Sequence, residues 1–389
     1  MNGEQRTGAA LFVTTWLPQP TAQGTAMRAW QLLNLLRHRH AQVSVLLAPD
    51  TAVSQAQLDC LRAAQPKVTV QFVDAGLDAP TRRARTRAIM HGESWNLVLV
   101  FRAEAAYLVA GIPAGDAPWW LDMDELASYR ERGIATLAKA RGDAASAEYH
   151  RRLALAMMLV EKGQLERYQK IFFSSGREAA RLADQGQACK LAVLPNIYRD
   201  VPALPPRPEP ERRQCFRLLF VGALNYAPNH DAVEWLAQAL APAIRSRLDG
   251  GVELLVAGGS PQPELVKTMA RAGIHYLGFV PDLSACYASA DAVLVPLRHG
   301  TGTRIKILEA FALGRPVVST STGAEGLEVQ PGQELLIADD PDAFAAAVLK
   351  LRDNPETAAA LVNAALTFVR DQHSQMALHE AWDRTTNSS

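Results

Sequence analysis

The sequence predicts an α/β protein in two halves, each a doubly wound parallel sheet covered by helices. Three observations carry this. Short apolar runs alternate with longer stretches of helical period from end to end. The alternation pauses once, at a segment with prolines at 202, 205, 206, 208 and 210, and then restarts. The length, 389 residues, fits two domains of ordinary size. Expected strands in the first half are Ala9–Thr15, Val43–Ala48, Val68–Val73, Leu97–Phe101, Trp119–Leu121, Ile171–Phe173 and Leu191–Leu194, with helices at Thr25–His38 and about Ala145–Tyr168. In the second half they are Arg217–Val221, Val252–Ala257, His275–Leu277, Ala292–Val295 and Pro316–Ser319, with helices at Asp231–Ala243 and Ile305–Leu313. This divides the chain into an N-terminal domain (1–199), a Pro-rich linker (200–215), a C-terminal domain (216–370) and a terminal helix (371–389). Two such halves imply a cleft fed by the strand-end loops.

Composition narrows the function classes. Forty Lys and Arg balance forty Asp and Glu, and 48% of residues are hydrophobic. That balance argues against disorder and against a dedicated nucleic-acid binder, though a few local cations can still hold a small anion. Cys60, Cys189, Cys215 and Cys286 lie far apart, so neither a zinc site nor a disulfide framework is expected. The first residues lack a basic stretch followed by an apolar one, and no uncharged apolar run approaches the ~18 residues of a membrane span. The expectation is a cytoplasmic protein.

The chemistry concentrates after the strand Ala292–Val295. Gly300 and Gly302 let backbone approach a ligand, and Thr303 can cap the helix beginning there. A helix N-terminus attracts an anion by roughly 0.3–1 kcal/mol when exposed. Arg304 and Lys306 would each add about 1.5–3 kcal/mol through charge-assisted bonds, outweighing the dipole in holding a diphosphate. Glu309 follows one turn later, where a phosphate would repel it but a vicinal hydroxyl pair would not. Pairing of Glu309 with Arg304 or Lys306 on a solvated face is the alternative.

Gly300–Gly314, continuing into Pro316-Val-Val-Ser-Thr-Ser-Thr-Gly-Ala-Glu-Gly326, resembles the donor-site signature of glycosyltransferase family 4, retaining nucleotide-sugar enzymes of the GT-B fold. Phe220–Asn229, Gly278–Asp282 and Pro195-Asn196 add to the resemblance, and Leu121–Ser128 matches more loosely. The resemblance implies two Rossmann-like domains, a nucleoside diphosphate sugar as co-substrate and no resident cofactor or metal. It implies that Glu309 is the second acid of the family's E-x7-E motif, on the ribose, and that Arg304 and Lys306 face the diphosphate and assist departure of the leaving group. It extends the donor-binding set to Gly24, Gly222, Asn225, Phe279, Val280, Gly300, Thr301, Gly302, Thr303 and Leu308. The first acid of the motif should stand at position 301, where this sequence has Thr301; the family's early Arg and Lys phosphate pair is replaced by Asn225 and Tyr226.

Asp122 and Asp124 form a D-x-D pair. Alternate residues of an extended segment point the same way, so metal binding, an acceptor-side role in orienting a hydroxyl or lending it a base, and a structural role all stay open. The run Arg82, Arg83, Arg85, Arg87 is either a solvated helix face or a contact for anionic lipid head groups or an anionic acceptor. His38, His40, His91 and His150 lack metal spacing. The function expected is transfer of a sugar from a UDP-, GDP- or similar donor to a glycan, lipid-linked, protein or small-molecule acceptor, in bacterial glycan, glycoconjugate or protein glycosylation. A same-fold nucleotide-sugar epimerase and a non-catalytic sugar-nucleotide-binding protein are the alternatives.

Overall fold

A computed structural model of the chain describes residues 8–20, 24–91, 93–113, 115–183, 188–198, 215–248 and 251–386. The Pro-rich segment read as a linker lies outside the described residues except for Cys215. The chain divides into two compact units: residues 1–128, 155–194 and 381–389 form one, and residues 129–154 and 195–380 form the other.

Among its described residues the first unit holds seven parallel strands: β1 (Ala9–Thr14), β2 (Gln42–Leu47), β3 (Val68–Phe72), β4 (Leu97–Phe101), β5 (Trp119–Asp124), β6 (Lys170–Phe173) and β7 (Leu191–Val193). Their order is β3-β2-β1-β4-β5-β6-β7. The central strands β1 and β4 read as unbroken apolar runs, AALFVT and LVLVF, because helices cover both faces and leave no side for water. Trp382, on the last helix Gln375–Thr386, stacks on Phe172 at 5.7 Å and meets Trp120 edge-on at 5.0 Å. That aromatic trio seals one face of the sheet with the far end of the chain.

Among its described residues the second unit holds six parallel strands: β8 (Phe216–Val221), β9 (Val252–Ala257), β10 (Ile274–Gly278), β11 (Ala292–Val295), β12 (Val317–Ser319) and β13 (Leu336–Ile337), in the order β10-β9-β8-β11-β12-β13. Both sheets have the doubly wound, Rossmann-like order expected from the alternating pattern. The order reverses between β1 and β4 in one and between β8 and β11 in the other, and within each unit the loops leaving those strands frame that sheet's own crevice.

Three local differences from the sequence pattern stand out. β5 runs three residues beyond the expected Leu121, because Asp122 and Asp124 are buried although polar. β13 is only two residues long, too short to leave a periodic signal. The helix expected over Asp231–Ala243 starts earlier, at Ala227, and passes through a π turn at Leu236–Leu240 just before Pro242, which has no N–H to give the regular ladder.

Candidate functional site

The crevice of the second unit is built from the loop after β8, the loop after β11 and the helix Ile305–Ala312. Lys306 is half-buried in the first turn of that helix. Its Nζ donates to Asn229 Oδ1 at 2.8 Å and lies 4.3 Å from the centre of the Phe220 ring. Asn229 Nδ2 in turn donates to the Ala223 carbonyl at 2.9 Å, which fixes the amide so that its oxygen faces the lysine. Among the described residues no carboxylate pairs with Lys306. Burial, with Arg304 nearby and Glu309 opposing, lowers its pKa to about 7.

One turn on, Glu309 Oε2 accepts from the Tyr287 hydroxyl at 2.8 Å. Tyr287 is fully buried, and burial together with Glu309 raises its pKa well above the usual phenol value, so it stays a donor. The phenol therefore orients the carboxylate without cancelling its charge.

Two glycines make this geometry possible. A Cβ on Gly222 would lie 2.7 Å from Asn229 Nδ2, and one on Gly258 would lie 1.9 Å from the Gly222 carbonyl oxygen. In the loop after β11, Gly302 takes φ +72°, a left-handed conformation that a side chain would strain. Asp231 grips Arg298 through two bonds of 2.7 and 3.0 Å, holding the start of that loop against the helix Ala227–Trp235.

The expected site residues distribute unevenly. Lys306 and Glu309 present their polar ends from one helix, with Gly222 beneath Asn229. Arg304 is buried and turns back on its own loop, donating to the Thr301 carbonyl, and it occupies the N-cap position that sequence reading gave to Thr303. The cap has no side-chain hydrogen bond, since the guanidinium is committed to the loop instead. Thr301 is buried and Gly300 lies against the Arg304 guanidinium. Leu308 is fully buried in the core, so only its main chain could reach a ligand. Phe279 is 75% exposed beside Gly259, Val280 packs on the core, and Asn225 is exposed in the turn before Asn229. Tyr287 and Asp231 escaped sequence reading as site residues, and Asn229 entered it only as the end of the segment Phe220–Asn229, with no role: their partners are 22, 67 and 77 positions away.

In the first unit Gly24 opens the helix Gly24–Arg39, and Arg28, in its first turn, reaches the end of β5. Arg28 binds Asp122 bidentately at 2.9 and 2.7 Å, both side chains being almost wholly buried. Asp124 lies 3.5 Å from Arg28 and 3.2 Å from Arg102, which also holds Glu125 at 3.1 Å and Glu104 at 3.4 Å. Arg102 and Asp124 both have left-handed backbone, φ +72° and +62°, and the β5–β6 register slips between Asp122 and Asp124. Strain of this kind costs about 1–3 kcal/mol per residue and survives here because the ion network fixes both ends. Guanidinium groups thus pair with both carboxylates of the D-x-D segment.

Comparison with known proteins follows the same division. Residues 215–354 match the family model described as glycosyl transferases group 1. Over the whole chain the Anabaena HepE structure in complex with UDP-glucose superposes with a TM-score of 0.70 at 16% identity, covering 98% of this chain and 100% of that one. The chain has the GT-B fold. It is 27% identical to the GDP-mannose-dependent alpha-(1-6)-phosphatidylinositol monomannoside mannosyltransferase of Mycobacterium tuberculosis, over 93% of this chain and 94% of that protein. It is 30% identical to the D-inositol 3-phosphate glycosyltransferase of Thermomonospora curvata, over 41% of this chain and 39% of that one. The chain thus spans about two fifths of the length of the D-inositol 3-phosphate glycosyltransferase, as it does for a curated relative from Klebsiella pneumoniae (42%). No helix among the described residues is long and apolar enough to cross a membrane.

Proposed function

We propose that the chain is a retaining glycosyltransferase of family 4 that moves a sugar from a nucleoside diphosphate sugar to a hydroxyl acceptor held by the first unit. One observation carries the reading: a half-buried lysine whose hydrogen-bond partner among the described residues is a neutral amide and a phenol-oriented carboxylate stand one turn apart at the topological switch point of the second sheet. A nucleoside diphosphate fits this pair, with the diphosphate opposite Lys306 and the two ribose hydroxyls donating to Glu309. The GT-B likeness and the group 1 match over residues 215–354 support it.

In the reaction the acceptor oxygen bonds to the anomeric carbon while the bond from that carbon to the diphosphate breaks. The electron pair leaves with the diphosphate, and Lys306 stabilises that charge as it grows. The departing phosphate takes the acceptor proton, so no protein nucleophile is required. Arg304 contributes by fixing the loop Gly300–Thr303 around the donor. Asp124, paired with two arginines, orients the acceptor hydroxyl, and the reading assigns no metal to the arginine-bound D-x-D pair. Chemistry of this kind belongs in the cytoplasm, where nucleotide sugars are made.

The test is donor turnover. Incubation with a panel of UDP- and GDP-sugars should release nucleotide from one donor, and Glu309→Ala should abolish it with the melting temperature retained. Release from none of the donors, with no nucleotide binding by calorimetry, would overturn the assignment; recovery of an isomerised sugar nucleotide would make the chain an epimerase.

A further inference from the structure

The carboxyl end of the first sheet carries an exposed aromatic ring that the reaction outlined above leaves unused. Trp16, two residues past the end of β1, is 38% exposed. One buried hydroxyl pins its backbone from both sides: Thr14 Oγ1 accepts from the Trp16 N–H at 2.9 Å and donates to the Trp16 carbonyl at 3.0 Å. The Gln19 N–H donates to the Ala26 carbonyl at 3.1 Å, which ties the same loop to the helix Gly24–Arg39. That helix also supplies Arg28 to Asp122. The indole is therefore mounted on an anchored turn at the switch point of the sheet.

The strand register relates this ring to the carboxylates. Thr14 pairs with Phe101 across β1 and β4, and Phe101 pairs with Asp122 across β4 and β5, so the three form one row. Trp16 and Asp124 each stand two residues beyond that row, on strands two apart. Two inter-strand spacings separate the ends of β1 and β5 by about 10 Å. Between them the chain leaving β4 turns sharply: Arg102 has φ +72° and gives its N–H to the Asp122 carbonyl at 2.6 Å, and Ala103, small and buried, follows. The first unit's crevice thus has an aromatic ring at one edge, a carboxylate at the other and a small residue between.

We propose that Trp16 determines acceptor specificity by stacking on one C–H face of a pyranose ring whose reacting hydroxyl points to Asp124. The C–H groups of a pyranose make an apolar face bounded by polar edges, and an indole covers that face while leaving the edges free for hydrogen bonds. A span of about 10 Å holds a single ring, so selection acts on the sugar unit that bears the reacting hydroxyl and not on what lies beyond it. An acyclic polyol has no such face, and an anion is repelled by the negative face of an indole. This rests on the reading of the first unit as the acceptor half.

The experiment is saturation-transfer NMR on the full chain, without donor, with methyl α-D-mannopyranoside and methyl α-D-glucopyranoside as probes and glycerol as the acyclic control. In the parent protein, transfer should fall on the ring protons of one face of at least one pyranoside. Trp16→Ala should weaken that pyranoside roughly 3- to 10-fold, and Trp16→Tyr should keep most of the affinity. The side chain is partly exposed and the anchoring bonds use the backbone, so neither variant should shift the melting temperature. Equal affinity in Trp16→Ala overturns the proposal, as does transfer to neither pyranoside, or glycerol binding as tightly as the sugars. UDP and GDP calorimetry on the same samples keeps the readings apart: absent nucleotide binding with the Trp16-dependent sugar contact intact sinks the donor assignment alone.

Discussion

Both halves of the molecule gather charged side chains at the carboxyl end of a parallel sheet, beside the strands where the order reverses, yet they treat the charge in opposite ways. In the first unit Arg28 and Arg102 meet Asp122, Asp124, Glu104 and Glu125 in a buried network. In the second, Lys306 leans on a neutral amide and an aromatic face, and Glu309 receives a neutral phenol. In the first unit charge meets opposite charge at hydrogen-bonding distance; in the second the hydrogen-bond partners named for Lys306 and Glu309 are neutral groups. The two clusters differ in the partners they keep rather than in burial, since both are largely removed from water.

The largest effect should come from opening the closed network. Arg28→Ala strands the buried Asp122 carboxylate and should cost about 3–5 kcal/mol of stability, measured by urea unfolding. A loss under 1 kcal/mol would mean that the network is not what fixes the end of β5. Next, Lys306→Met should weaken nucleoside diphosphate binding by about 1.5–3 kcal/mol, roughly 10- to 150-fold, and leave nucleoside binding nearly unchanged. Calorimetry with UDP or GDP against the matching nucleoside reads the split, and equal losses would remove the lysine from the phosphate position. Smaller still, Tyr287→Phe should cost about 0.5–1.5 kcal/mol in nucleotide affinity by freeing the Glu309 carboxylate to rotate.

The subtlest difference is in pH. Lys306 titrates near 7 in the folded chain and near 10.5 when unfolded. Between those values the unfolded state binds the extra proton, so this group makes stability rise with pH across that window. Below pH 7 the buried ammonium costs stability, and that cost is constant. Lys306→Met should remove the rise, as read from unfolding midpoints at pH 6.5 and 9. Affinity for a diphosphate should fall over the same interval in the parent protein, because the uncharged amine no longer attracts it.

These contrasts also mark how much was legible in the sequence. The central strands were, because runs such as Leu97–Phe101 are apolar on both faces and only a covered parallel sheet buries them. The helix bearing Lys306 and Glu309 was legible too, since the Gly-rich loop and the cationic first turn are local. Asp122 and Asp124 hid the end of β5, as their burial depends on Arg28, 94 positions earlier than Asp122. Arg304 reads from sequence as a phosphate ligand, but the conformation at the helix cap, φ −81° and ψ 88°, accompanies a side chain turned into the loop. Asn229 and Tyr287 could not be found at all from spacing, because each earns its place only when distant strands bring the helix end to it.

The missing atoms at Gly222 and Gly258 bear on how this protein can change over time. A single methyl at position 222 would push Asn229 off its carbonyl, and one at 258 would strike the backbone of 222 itself. Neither residue carries a charge or a hydrogen-bonding side chain, yet either substitution would unseat the lysine from its amide. Change at this end of the second sheet is therefore open at exposed positions such as Phe279, while the ground under Lys306 is closed to experiment by natural variation.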